Sequence, residues 1–293
     1  MKHIVILMTI VLTALTVQAQ QQPNYLFYQQ NMSILNPAYS GSQGEYLAMN
    51  YSTAWSGVAN APRSTTMVYN TGIRNNASWG FSFLSDRVYI ENQGIVSVDY
   101  SYQVQLGEAT YLHLGIKGGA LYNALDIEGL NRITNEPNAA LSAVNNYMNP
   151  LLGVGAYLQS EHVFFGISAP SVLNTKRFKE VNGIAVTATD RPNFYMTTGA
   201  SFDLSTQIQF EPSLIYRFVS GAPNLVTAFA NINFNNQVTV GTGISNNNYI
   251  AGLILFTGLE RLDIGYGYEM GQRGSSVALR SNSHELMIKY KLD

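Results

Sequence analysis

The 293-residue chain has no cysteine, which excludes thiol nucleophiles, disulfides and cysteine-ligated metals. Charge is scarce too. Asp, Glu, Lys and Arg make up 12% of the residues, against about 25% in an ordinary soluble domain, too few to cover a globule of this size. A formal net charge of -2 argues against a nucleic-acid partner. Beyond the amino terminus no run is apolar enough for a spanning helix. Catalytic signatures are missing: there is no Gly-x-Ser-x-Gly elbow, phosphate-binding loop, His-Glu-x-x-His or calcium loop. The histidines His3, His113, His162 and His284 are far apart, and nothing singles out a nucleophile for a Ser/His lipase. Gly241-x-Gly243 and Gly265-x-Gly267 sit inside strand-like runs, where glycine marks bending or close approach rather than a nucleotide site. The sequence supports no enzyme activity, cofactor or metal.

What the chain does have is a two-residue alternation that returns about fourteen times. In Arg261 to Tyr268, the residues Leu262, Ile264, Tyr266 and Tyr268 share one face and Asp263 and the glycines the other. Val96, Val98, Tyr100, Tyr102, Val104 and Leu106 alternate in the same way with Ser97, Asp99, Ser101, Gln103 and Gln105. With 19 tyrosines, 13 phenylalanines and a mean hydropathy near zero, this describes a membrane β-barrel with an uncharged lipid face and aromatic girdles.

The first residues explain how the chain reaches a membrane. Lys2, the apolar run Ile4 to Val17 and the small-residue site ending at Ala19 form an export signal, so residues 1–19 are expected to be removed and the mature chain to begin at Gln20. Residues 20–44 then form an N-terminal segment and 45–293 the barrel.

Marking each run predicts strands at 45–51, 65–73, 77–85, 93–106, 110–122, 148–159, 162–168, 193–204, 208–217, 225–234, 237–245, 249–256, 261–268 and 284–292. Connections after even-numbered strands are tight, and several after odd-numbered ones are long, notably 123–147, 169–192 and 269–283. Outer-membrane barrels have short periplasmic turns and longer external loops. The expectation is an all-β, antiparallel up-and-down barrel of about fourteen strands with both termini in the periplasm.

The fourth and fifth strands carry their apolar residues at even positions, so paired numbers must sum to an even value. A turn centred on Glu108 supplies that sum and sets Asp99 opposite Lys117, as a cross-strand ion pair in the lumen or as two independently solvated charges. Parity also sends Glu211, Arg217, Asp263, Glu285, Lys289 and Lys291 inward, with no strong ion-selective ring. Fourteen strands could enclose a plug or a pore.

Residues 20–44 break the alternation yet are rich in aromatics, which argues for an ordered strap or partial plug on the periplasmic side rather than a disordered lead-in. The run Phe27 to Met32, followed by Leu35-Asn36-Pro37-Ala38-Tyr39-Ser40-Gly41, then Trp55-Ser56-Gly57 and Ala61-Pro62-Arg63-Ser64-Thr65, resembles the PorP/SprF family of type IX secretion membrane proteins. Later blocks, including Glu211-Pro212-Ser213-Leu214 and Gly265-Tyr266-Gly267-Tyr268-Glu269, extend the resemblance over the mature chain. Departures at Ser40, Arg63 and Glu269, where the family often differs, bear only on which cargo is served.

The resemblance implies Asn36, Pro37, Ala38, Tyr39, Gly41, Trp55 and Pro62 as family-motif residues. It also implies partners: outer-membrane lipid, an exported cargo carrying a type IX C-terminal targeting domain, gliding adhesins among such cargo, and translocon components. Docking, not catalysis, is the expected mechanism, with Tyr122, Tyr147 and Phe178 as loop or rim contacts, or else girdle residues. Two alternatives share the barrel: a diffusion porin or hydrophobic-solute channel, and a structural tether for periplasmic machinery acting through residues 20–44 and the short turns.

Overall fold

The computed structural model describes residues 26–54, 61–88, 91–125, 147–173, 175–181, 184–271 and 282–292. Among the described residues seventeen strands follow one another: β1 (Tyr46–Ala54), β2 (Arg63–Asn70), β3 (Ala77–Val88), β4 (Glu91–Gln105), β5 (Tyr111–Leu125), β6 (Tyr147–Gln159), β7 (Val163–Ser171), β8 (Thr175–Val181), β9 (Ile184–Asp190), β10 (Asn193–Ala200), β11 (Phe202–Ser205), β12 (Ile208–Val219), β13 (Leu225–Phe234), β14 (Val238–Ser245), β15 (Tyr249–Leu259), β16 (Leu262–Gly271) and β17 (Ser283–Lys291). Strands β1 to β7, β10 and β12 to β17 each pair with two neighbours, all antiparallel. β1 meets β17, and β10 joins β7 to β12, so the sheet closes on itself. β10 and β11 are pieces of one strand interrupted at Ser201, whose N–H donates to the His162 carbonyl (2.8 Å). The result is a closed fourteen-stranded barrel.

Inside and outside follow from the pleat. Val96 is 59% exposed and its neighbour Ser97 3%; Ile116 is 60% exposed and Lys117 4%. An exposed apolar side chain beside a buried polar one is the inverse of a soluble sheet, and it requires hydrocarbon on the outside. Aromatic pairs stud that outer face, Trp79 edge-on to Tyr100 (5.0 Å) and Tyr69 stacked on Phe81 (6.1 Å).

The start of β1, the end of β17 and six short turns lie at one rim, and the remaining connections between wall strands run at the other. Two of those turns are built on asparagine pairs with positive φ, Asn75 (51°) with Asn76 (63°) and Asn235 with Asn236 (both 53°). Left-handed backbone at both central positions matches the twist of a tight hairpin, and asparagine adopts it with little strain.

Three expectations need correction. The stretch 169–192 is not a plain connection, because β8 and β9 form a separate two-stranded hairpin, Thr175 opposite Asp190 through Val181 opposite Ile184. A hairpin outside the barrel sheet is not held to the alternation that lipid imposes on a barrel wall. The strand expected over 193–204 is broken at Ser201. Strands β3, β4 and β5 run further toward the long-connection rim than their apolar alternation does, leaving only residues 89–90 between β3 and β4.

Candidate functional site: the filled lumen

Residues 26–44 lie inside the barrel, in the half next to the short turns. Three successive 3-10 turns, Tyr28–Gln30, Met32–Ile34 and Pro37–Tyr39, coil the segment compactly. Its apolar side chains Leu26, Phe27, Tyr28, Met32, Leu35 and Tyr39 form one cluster with Tyr157, Tyr195, Phe229, Leu253, Leu255 and Met287 of the wall. Tyr39 meets Tyr157 edge-on (5.0 Å) and Tyr28 packs on Phe229 (5.3 Å). Tyr28 is only 2% exposed, shielded from water between the segment and the wall.

A coiled segment surrounded by sheet must have its own backbone satisfied, and the wall does this with side chains. The carbonyl of Ser40 accepts from the Ser78 hydroxyl (2.5 Å), that of Ala38 from Ser101 (2.9 Å), that of Leu35 from Ser168 (2.7 Å) and that of Ser33 from Lys117 Nζ (3.3 Å). At the other end the Leu26 N–H donates to Glu285 Oε2 (3.0 Å), and Glu285 Oε1 accepts from Asn50 (2.8 Å), whose own amide oxygen accepts from Asn31.

The wall also makes room. A Cβ at Gly115 would lie 2.1 Å from Ala38 N, one at Gly155 2.0 Å from Asn36 Oδ1, and one at Gly265 2.6 Å from the Phe27 ring. These inward-facing glycines are a mould for the segment.

The motif residues Asn36, Pro37, Ala38, Tyr39 and Gly41 therefore meet in the lumen. Asn36 caps the turn Pro37–Tyr39, its Oδ1 accepting from Ala38 N (3.0 Å), and its Nδ2 donates to the Ala156 carbonyl of β6 (3.0 Å). Tyr39 OH donates to the Gln29 carbonyl (2.9 Å), and Gly41 takes a φ of +80° that glycine allows without strain. Asn36→Ala should lower unfolding stability by about 1–2 kcal/mol, since a cap and a buried wall bond go together. A denaturant midpoint equal to the parent's would show that Asn36 does not tie the segment to β6.

Asp99 and Lys117 stand opposite each other in the β4–β5 ladder, with Nζ 2.8 Å from Oδ1 and both side chains buried. Lys117 thus joins a wall carboxylate to a carbonyl of the lumenal segment. Pro62 is half-buried just before β2, its carbonyl accepting from Ala54 N (3.0 Å), and Trp55 lies outside the described residues. Of the three aromatic contact candidates, Tyr122 is an outward-facing wall residue of β5, Tyr147 begins the neighbouring strand β6, and Phe178 belongs to β8. Residues missed by sequence reasoning are the donors Ser78, Ser101 and Ser168 and the receiving Gly115 and Gly155; their one signal was small size at inward parity. Among the described residues no three His, Asp or Glu side chains converge as a metal would require.

A closed antiparallel barrel, apolar outside and polar inside, defines an outer-membrane β-barrel protein. The model of the family "Type IX secretion system membrane protein PorP/SprF" matches residues 17–290, and the chain belongs to that family. No curated protein matches it. Among solved structures it is similar to the Pseudomonas putida toluene transporter TodX (TM-score 0.50, 8% identity, 88% of this chain and 92% of that one). It is also similar to the Acinetobacter baumannii outer membrane protein Omp33 (TM-score 0.49, 8% identity, 85% and 98%). A third is the CymD monoaromatic hydrocarbon channel (TM-score 0.49, 11% identity, 88% and 91%). At these identities the likeness concerns the fold alone.

Proposed function

We propose that this barrel is a non-catalytic outer-membrane docking partner in type IX secretion. It is exported with residues 1–19 removed, inserts with both termini in the periplasm, and holds an exported cargo protein by its C-terminal targeting domain at the rim of long connections. The observation that carries this reading, beside the family, is the filled lumen. A barrel whose interior is occupied by its own residues 26–44, bonded to the wall on several sides, is suited to anchor a partner rather than to pass one. The cargo then crosses the membrane elsewhere, and this protein retains it.

A hydrophobic-solute channel is the second reading, favoured by the apolar lumenal cluster around Leu253, Leu255 and Phe229. Affinity capture of the tagged mature barrel from detergent-solubilised outer membranes separates the two. Recovery of a large exported protein with its C-terminal domain protected, together with translocon components, is the expected result. Recovery of the barrel alone, with conductance in planar bilayers, would transfer the case to the channel. A tether acting through the periplasmic side would instead lose its complexes on deletion of residues 24–41 and keep them on deletion of the long connections.

A further inference from the structure

We propose that the lumen holds a calcium site on the short-turn side of the wall, built on Glu211 and the oxygens around it. The strand pairings set the neighbours. Asn231 of β13 stands directly opposite Glu211 of β12, with Gly241 of β14 beyond it. On the other flank the pairs Gly199–Ser213 and Phe202–Phe210 bring Ser201 beside Glu211, and Asp203, opposite Gln209, lies diagonal to it. Asn233, opposite Gln209 on β13, completes the group. All of these side chains alternate to the inner face.

The group is rich in acceptors and short of donors. Among the described residues Glu211 makes no hydrogen bond or ion pair, and the buried oxygens Asn231 Oδ1, Asn233 Oδ1 and Ser201 Oγ have no hydrogen-bond partner. The nearest amide donors are engaged elsewhere, Asn231 Nδ2 with Gln29 Oε1 of the lumenal segment (3.4 Å) and Gln209 Nε2 with Asp203 Oδ1 (3.0 Å). Asn231 is only 6% exposed, and its amide oxygen points into the space that Gly241 leaves free, where a Cβ would overlap it. Buried oxygens left in this way are costly unless something positive meets them. The inner face of β10 to β14 supplies no lysine, and its arginine, Arg217, lies six residues from Glu211 toward the other rim. His162, at the turn beside Ser201, is 60% exposed and faces Glu161 (3.9 Å).

The donor set selects the ion. Three His, Asp or Glu side chains do not converge among the described residues, so a transition metal lacks its ligands. Carboxylate, amide and hydroxyl oxygens completed by water are what calcium accepts, at flexible geometry, whereas magnesium demands a tight octahedron. The ion also has work to do where it sits. The wall is interrupted at Ser201 and shifts register between Asp203 and Ser205, and a cation held by Ser201, Glu211 and Asn231 ties the three strands across that seam. Through Asn231 it steadies the contact with Gln29 of the lumenal segment.

The inference rests on the membrane barrel alone, so its failure leaves cargo docking untouched, and the reverse also holds. The test takes the full mature chain folded in lipid-free detergent, strips it with a chelator and titrates it with calcium in a calorimeter, with bound calcium counted by atomic emission. The parent should bind one ion per barrel, and calcium should raise its thermal unfolding midpoint. Glu211→Gln should weaken binding about tenfold or more, the equivalent of one lost charge-assisted contact, and remove the midpoint shift. Asn231→Ala keeps the charge and should weaken binding by less. Glu108→Gln, an exposed acid on another short turn, should change neither. Heat-modifiable gel mobility reports folding, and Asn231→Ala carries the test if Glu211→Gln does not fold. Absence of saturable binding in the parent overturns the site. So does unchanged affinity in Glu211→Gln, or an equal loss in Glu108→Gln, which would mean diffuse attraction to the acidic turns.

Discussion

Replacing Gly115 with leucine should turn a sealed barrel into a conducting one. A Cβ there would lie 2.1 Å from Ala38 N and 2.4 Å from Pro37 C, both backbone atoms. β5 cannot withdraw, because it is paired along its length with β4 on one side and β6 on the other. The lumenal turn must therefore leave, breaking the Asn36 and Ser101 bonds and the Tyr39–Tyr157 contact. Losing even one packed aromatic from such a cluster costs about 3–5 kcal/mol, so partial displacement should go on to full release. In planar bilayers the parent should be silent and the variant should show discrete current steps, with new protease cleavage within residues 26–44. A silent variant with a protected segment would mean that the glycine is not what seats it.

The second large effect concerns Lys117. With Nζ 2.8 Å from Asp99 Oδ1, 3.4 Å from Ser97 Oγ and 3.3 Å from the Ser33 carbonyl, this ammonium serves both wall and plug. Lys117→Met strands a buried carboxylate, and removing one partner of a buried pair typically costs about 3–5 kcal/mol. Asp99→Asn in the same background removes the orphan charge and should restore much of the loss. Denaturant midpoints for the two single variants and the double close the cycle. Additive losses would mean that the two residues do not act as a pair.

How much of this was legible follows from particular residues. The strands announced themselves because lipid demands apolar side chains on every second residue, and the same parity fixed the β4–β5 register from the even positions Val96 to Leu106 and Leu112 to Ile116. β8 escaped notice because Thr-Lys-Arg-Phe-Lys-Glu-Val has no face to alternate. In the lumen, the aromatics of residues 26–44 signalled packing, since solvated tyrosine and phenylalanine at that density are rare, but nothing in one sequence tells which wall receives them. Gly265 and Gly267 were visible as close-approach positions; that Phe27 and Leu26 are what approaches them depends on closure of the whole sheet. Ser78, Ser101 and Ser168 read as ordinary small lumenal residues until the coil is set beside them.

The bond from the Leu26 N–H to Glu285 spans 259 positions of the chain. The lumenal segment that begins at Leu26 thus waits for the last hairpin before its binding site exists, and loop-closure entropy is paid nearly in full before that contact returns anything. Joining β1 to β17 and seating the coil become a single late event, and an assembling chain passes through open-edged forms with a greasy, unhoused amino-terminal stretch. Its vulnerable moment is during assembly, when that stretch is exposed and the barrel can shut around it or without it.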